Sequence, residues 1–197
     1  MTRNRRPLFR GGTAGPFAHR LGFTVLIAIG GRLGYAGRLP VRRRGLGEGS
    51  LAEIYYRRSR FSTRLPSDRL YTPSHFWVQE HTPGIWRVGL TKFAARMLGD
   101  VVDVGFEVKP GDAVALGDEV GWFEGFKARS DLYCVVSGRF LEANLMLDQD
   151  VDVIDRDRYG DGWLYRVEGS PDPDTRDAAG YARVLDEIID RMRGRTT

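Results

Sequence analysis

From Leu70 onward the apolar residues fall into short runs bounded by Gly, Pro and acids. Phe76-Trp77-Val78-Gln79 and Ile85-Trp86-Arg87-Val88-Gly89 flank Thr82-Pro83-Gly84, which predicts a hairpin closed by a Pro-Gly turn. Thr91 to Leu98 switches to helical spacing, with Thr91 placed to cap the start, Gly99 to end it in the left-handed conformation, and Phe93, Ala94, Met97 and Leu98 on the buried face. Val101 to Val108 reads as strand, Lys109-Pro110-Gly111-Asp112 as a turn, and Val114 to Phe123 as strand interrupted by Leu116-Gly117-Asp118. Leu132 to Val136, a Ser137-Gly138 turn and Arg139 to Glu142 follow. So many short strands predict an all-β sandwich or barrel. After Asp172-Pro173-Asp174 the period changes once more. Tyr181, Leu185, Ile188 and Met192, joined by Ala182, Val184 and Ile189, form one stripe of a C-terminal amphipathic helix that ends on Arg191, Arg193 and Gly194 and is expected to pack on the sandwich as a lid or brace.

Ahead of Leu70 the pattern is different. Residues 1–66 hold fourteen Arg, no Lys and two acids, Glu48 and Glu53, a net +12, whereas residues 67–197 carry −8. The overall +4 therefore hides a basic extension on an acidic body. An acidic body repels phosphate backbones, so no nucleic-acid partner is expected. The apolar run Leu21 to Ile29 is nine residues long, and a membrane-spanning helix needs about 20; no membrane association is expected. Three readings of residues 1–66 fit their composition: a targeting presequence, a disordered basic arm, or a stretch upstream of the true start. The ordered body is expected to begin near Leu70 and to occupy residues 70–193.

The single Cys134 rules out an internal disulfide, and His19, His75 and His81 have no metal-ligand spacing, so no metal is expected. The scarcity of lysine changes the picture more. Only Lys92, Lys109 and Lys127 stand against twenty-seven Arg. Where Arg substitutes so freely, a remaining Lys is a candidate for chemistry that a guanidinium cannot perform, such as acylation.

The informative segment is Gly121 to Gly138, GWFEGFKARSDLYCVVSG. Apolar strands converge on a polar centre, Ser130 and Asp131 suit a turn, and Lys127 stands at the tip where another protein's active site can reach it. Tyr71-Thr72-x-x-His75-x-Trp77, Val88-Gly89-Leu90-Thr91 with Ala94 and Leu98-Gly99-Asp100, Glu124-x-x-Lys127-Ala128-x-Ser130-Asp131-Leu132-Tyr133 with Val136-Ser137-Gly138, and Tyr159-Gly160-Asp161-Gly162-Trp163-Leu164 occur in that order. Together they resemble the glycine cleavage system H-protein family over roughly residues 70 to 193.

That resemblance implies a mainly β fold, a lipoyl/biotinyl-type β-sandwich (barrel-sandwich hybrid) with a short internal helix and a C-terminal helix. It implies lipoate attached covalently to Lys127, with Glu124, Gly125, Phe126, Ala128, Ser130 and Asp131 as the recognition surface of the modification hairpin. It also implies a non-catalytic carrier that shuttles an aminomethyl group between glycine decarboxylase and aminomethyltransferase and is reoxidised by dihydrolipoamide dehydrogenase, after loading by a lipoate-attaching enzyme. A monomer in the bacterial cytoplasm is expected, or one in the mitochondrial matrix if the extension is a transit peptide. Phe126 and Ala128 stand where a biotin carrier has Met on both sides of its lysine. Gly125-Phe126 and Arg129 depart from the H-protein pattern itself. Two alternatives thus remain: an H-protein-like lipoate carrier of another pathway, in heterodisulfide-reductase-like sulfur oxidation or lipoate relay, and an unmodified β-sandwich interaction module.

Simpler roles stand beside these. Lys92 reads as the exposed face of the short helix, Lys109 as a turn residue, and Glu124 as either a recognition residue or a cross-strand partner of Arg129. Cys134 reads as a small buried hydrophobe, and Trp163 as a core aromatic. His75 and Trp77 line a possible cleft for the arm or, for His75, serve structure alone. The acidic run Asp148, Asp150, Asp152, Asp155 and Asp157 lacks the spacing of a calcium loop and reads as a solvated edge able to dock basic surfaces.

Overall fold

The computed structural model describes residues 52–194. The expectations for residues 1–51, including the Leu21 to Ile29 run, lie outside the described residues. In chain order the elements are β1 (Glu53–Arg58), β2 (Phe61–Pro66), β3 (Leu70–Tyr71), β4 (Phe76–Thr82), β5 (Ile85–Leu90), α1 (Lys92–Leu98), β6 (Val101–Phe106), β7 (Ala113–Val114), β8 (Glu119–Gly125), β9 (Arg129–Tyr133), β10 (Val136–Ala143), α2 (Val153–Arg156), β11 (Trp163–Pro171) and α3 (Ala178–Gly194). A six-stranded sheet runs β3-β4-β5-β11-β10-β7, a three-stranded sheet β6-β8-β9, and β1-β2 form a separate pair. The mainly β fold with a C-terminal helix is the expected class, with a second short internal helix, α2, beside the expected α1.

Local chemistry explains the elements that the sequence predicts. The β4–β5 hairpin turns at Pro83-Gly84, with Gly84 at φ 76°. Thr91 caps α1 by accepting from the Ala94 N–H, and Gly99, at φ 76° and ψ 49°, closes it by donating to the Ala95 and Arg96 carbonyls. Its buried face comprises Phe93, Ala94, Ala95 and Leu98, with Met97 half-buried. Asp177 Oδ1 accepts from the Gly180 N–H at 2.6 Å and starts α3, which buries Tyr181, Ala182, Leu185 and Ile189.

Two apolar clusters result. The first fills the space between the six- and three-stranded sheets with Phe76, Val88, Phe123, Leu132, Phe140, Leu164 and Tyr165 among others. The second joins Tyr56, Phe61 and Leu65 of the first hairpin to Tyr71, Trp77, Phe93, Tyr181 and Leu185. Tyr71 and Tyr181 stack at 4.9 Å, and Phe61 meets Phe93 edge-on at 5.6 Å.

Three expectations are corrected. Order begins before Leu70, because β1 and β2 pair from Glu53↔Pro66 to Arg58↔Phe61 and bury Tyr56, Phe61 and Leu65. Ser137-Gly138 is no turn but part of β10. Gly138 lies opposite Gly169 of β11, with φ of 151° and 159°, and a Cβ on Gly138 would meet the Glu168 carbonyl oxygen at 2.0 Å. The glycine there serves close strand approach and not reversal. Trp163 is half-buried rather than a core closure, lying between the guanidinium groups of Arg166 at 4.6 Å and Arg87 at 5.7 Å.

Candidate functional site

β8 and β9 form a hairpin whose last paired residues are Glu124 and Arg129. The Gly125 N–H donates to the Ala128 carbonyl at 2.9 Å, so the tip is a tight turn over residues 125–128. The Phe126 N–H donates to the Asp100 carbonyl at 3.3 Å, fastening the tip to the chain just beyond α1. Gly125 permits that approach. A Cβ there would meet the Leu98 carbonyl oxygen at 2.5 Å and that of Asp100 at 2.9 Å.

Lys127 is exposed at this tip. Its aliphatic stem lies on the left-handed Gly99, where an added Cβ would meet Lys127 Cγ and Cδ at 2.7 Å and Cε at 3.1 Å. Gly99 thus ends the helix and also makes room for the lysine stem. Asp100, at φ 66°, continues the unusual path. The contribution of Gly99, Asp100 and the Leu98 carbonyl to the site escaped the sequence, which identified Gly99 as a helix end and Leu98-Gly99-Asp100 as a motif without placing either beside Lys127.

The rest of the expected recognition surface divides. Glu124 and Phe126 are exposed, Phe126 at 80%, and Gly125, Ala128 and Ser130 are half-buried. Ser130 Oγ donates to the Asp131 carbonyl at 3.5 Å, and the exposed Asp131 carboxylate accepts from the Tyr133 hydroxyl at 2.9 Å, raising the tyrosine's pKa. Arg129 faces Glu124 across the ladder, yet its guanidinium lies over the Trp122 ring at 4.3 Å. Glu124 has no ion pair among the described residues, which leaves its carboxylate available to a second protein.

The expected arm cleft does not form as such. Trp77 has no exposed surface and carries the Arg69 guanidinium over its ring at 4.8 Å, so it belongs to the second cluster. His75, at φ 69°, bonds through Nδ1 to the Tyr181 hydroxyl at 2.9 Å and packs on Phe93. Burial lowers its pKa to about 4, so the imidazole is neutral at ordinary pH. Cys134 is buried, its thiol donates to the Val136 carbonyl at 3.0 Å, and burial pushes its pKa up to about 11, the reverse of an activated nucleophile. In the acidic run, Asp150 pairs with Arg156 at 2.6 Å, Asp155 pairs with Arg158, and Asp157 accepts from the Asp161 N–H at 2.8 Å. No cluster of metal-binding side chains exists among the described residues, and none of their helices is long and apolar enough to cross a membrane.

Comparison with known proteins adds to this geometry. The profile of the glycine cleavage H-protein family matches residues 69–181, a span that includes the tip and leaves out β1–β2. The glycine cleavage system H protein of Shewanella frigidimarina is 36% identical over 126 residues, covering 62% of this chain and 97% of that protein. The protein of the same name from Alteromonas mediterranea is 35% identical over 128 residues, covering 64% and 98%. Among solved structures, the crystal structure of a glycine cleavage system H protein from Mycobacterium marinum matches with 36% identity and a TM-score of 0.54, covering 60% of this chain and 96% of that one.

Proposed function

Because the chain belongs to the glycine cleavage H-protein family, we propose that it is a lipoyl carrier of the glycine cleavage system and that Lys127 is the residue lipoylated. The observation that carries the residue assignment is the lysine's placement at a tight, backbone-fastened hairpin tip. All three lysines are exposed, so exposure does not choose among them. Lys92 opens a helix and Lys109 precedes the Pro110-Gly111 turn, whereas Lys127 stands at the tip of the β8–β9 hairpin.

The donor fits the group. Amide formation needs a primary amine that a second active site can surround, and the tip supplies one with its backbone already ordered. Bound lipoate supplies a dithiolane that can be reduced and can hold an aminomethyl fragment, chemistry beyond any side chain of this protein. The chain's own part is presentation. Gly99 accommodates the lysine stem, Gly125 and the Phe126 N–H hold the tip on the end of α1, and the unpaired Glu124 beside it gives an attaching enzyme a charge to read. The proposed partners are glycine decarboxylase, aminomethyltransferase, dihydrolipoamide dehydrogenase and the lipoate-attaching enzyme. The protein performs no catalytic step itself.

Intact-mass measurement of protein made in a lipoylation-competent host tests the assignment. One lipoyl or octanoyl increment is expected, retained in Lys92→Arg and lost in Lys127→Arg; an increment that survives Lys127→Arg defeats it. The pathway is tested separately by offering the lipoylated protein to glycine decarboxylase with glycine, where absence of aminomethyl loading counts against glycine cleavage.

A further inference from the structure

A second site is formed where the β1–β2 hairpin meets the body. A depression of about 320 Å³ is lined by Tyr55, Ser62, Thr63 and Arg64 of the hairpin, by Lys92 at the start of α1, and by the Asp155–Tyr159 stretch. None of these residues belongs to the modification tip. The hairpin half lies outside residues 69–181, so the depression is not a property of the family's matched core.

Its lining is rich in donors and poor in acceptors. Arg64, Lys92 and Arg158 contribute three cations against the single carboxylate of Asp155. That carboxylate is engaged by Arg158, whose side chain is only 10% exposed and whose Nη1 has no hydrogen-bond partner. Arg64 reaches outward to Glu53, while Lys92 has no ion pair among the described residues. Thr63 Oγ1 donates to the Arg64 carbonyl, and Ser62 and the 63%-exposed Tyr55 add hydroxyls at the rim. In a chain with twenty-seven Arg and three Lys, one of the three lysines stands here. A lysine offers a compact ammonium with rotatable donors on a flexible stem, suited to a point charge that does not present a flat fork. The Lys92 ammonium from α1 and the Ser62 and Tyr55 hydroxyls from the hairpin line one depression, and separate donors of this kind can each take a different oxygen of a tetrahedral anion, whereas a carboxylate is satisfied by one bidentate partner.

We propose that the depression between β1–β2, α1 and residues 155–159 binds a phosphate group, as the free anion or on a small metabolite whose body rests against Tyr55, with Lys92 as the principal ligand. This site is independent of lipoylation at Lys127.

The test is residue-resolved, because the arginines of residues 1–51 also attract phosphate. Backbone amide shifts of the full chain are followed by NMR during titration with inorganic phosphate at constant ionic strength, with acetate and chloride as parallel arms. Saturable shifts at residues 62–64, 92 and 158–159 are expected with phosphate and not with the other two. Lys92→Met is expected to weaken phosphate at least tenfold, and Ser62→Ala two- to fivefold, with the lipoyl mass increment unchanged in both. Shifts confined to residues 1–51, linear non-saturating shifts, equal response to acetate or chloride, or undiminished binding by Lys92→Met would each overturn the proposal.

Discussion

The molecule has two hairpins of different standing, β8–β9, which belongs to the three-stranded sheet through the β6–β8 pairing, and the separate pair β1–β2, and they are anchored in opposite ways. The β8–β9 tip is held by its backbone: Gly125 against the Leu98 carbonyl and the Phe126 N–H on Asp100. Its side chains are thereby released, with Lys127 and Phe126 standing in solvent. β1–β2 is held by its side chains. Tyr56, Phe61 and Leu65 are 3%, 7% and 0% exposed, the Tyr56 hydroxyl donates to Asp186 at 2.9 Å, and Arg58 pairs with Asp190 of α3. Backbone anchoring yields a presenting finger and side-chain anchoring yields a brace.

The contrast is broken most strongly at Phe61. Phe61→Ala removes a ring from the second cluster and is expected to cost about 3–5 kcal/mol, read as a lower urea midpoint. If that loss is under about 1 kcal/mol, the hairpin is not a brace.

The next largest effect is on pH dependence beneath the brace. His75 has a folded-state pKa of about 4, lowered by burial from the 6.5 of an unfolded chain. The unfolded state therefore binds the proton first as pH falls. The stability contributed is complete above pH 6.5, is lost between 6.5 and 4, and levels off below; it amounts to about 3 kcal/mol. His75→Asn, which keeps a residue tolerant of positive φ, is expected to flatten that part of the stability profile, measured by urea unfolding at several pH values. An unchanged slope refutes the assignment to His75.

Gly99→Ala sharpens the view of the presenting finger. It forces a Cβ into the left-handed conformation and against the lysine stem, at an expected cost of about 1–2 kcal/mol, with a several-fold slower gain of the lipoyl increment by mass spectrometry. Lipoylation at the wild-type rate would mean that the tip needs no floor.

The smallest effect is expected from Phe126→Ala, within about 0.5 kcal/mol of wild type in thermal unfolding, since the ring is 80% exposed. The same substitution in the two fingers thus separates presentation from bracing.

Much of the body was legible because its signals are local. A Pro-Gly turn, a Thr N-cap three residues before the bonded amide, a left-handed Gly99 and a stripe at helical spacing each act within a few residues of themselves. The β8–β9 hairpin with Lys127 at its tip was legible for the same reason, aided by an ordered set of motifs. Ser137-Gly138 misled because a Ser-Gly pair has the same composition in a turn and in a strand crossing another glycine. Only the partner strand, which brings Gly169 opposite, distinguishes them. For Glu124 the sequence left two readings open; it and Arg129 do lie opposite each other, but the choice of Trp122 as the arginine's partner depends on the ring's position across the sheet face.

By itself the sequence determined the strand-rich class, the two main helices, the finger that carries Lys127 and the family to which the chain belongs. Only the tertiary structure decided that residues 53–66 belong to the folded body, that Trp77 is core and not cleft, that Gly99 makes room for the lysine stem, and that Lys92 shares a bowl with Ser62 and Arg158. The division has one cause. Turns, caps and periodic faces are set by neighbours in the chain, whereas the partner of a buried ring or the floor beneath an exposed lysine comes from residues far away in sequence and is chosen only when the layers close.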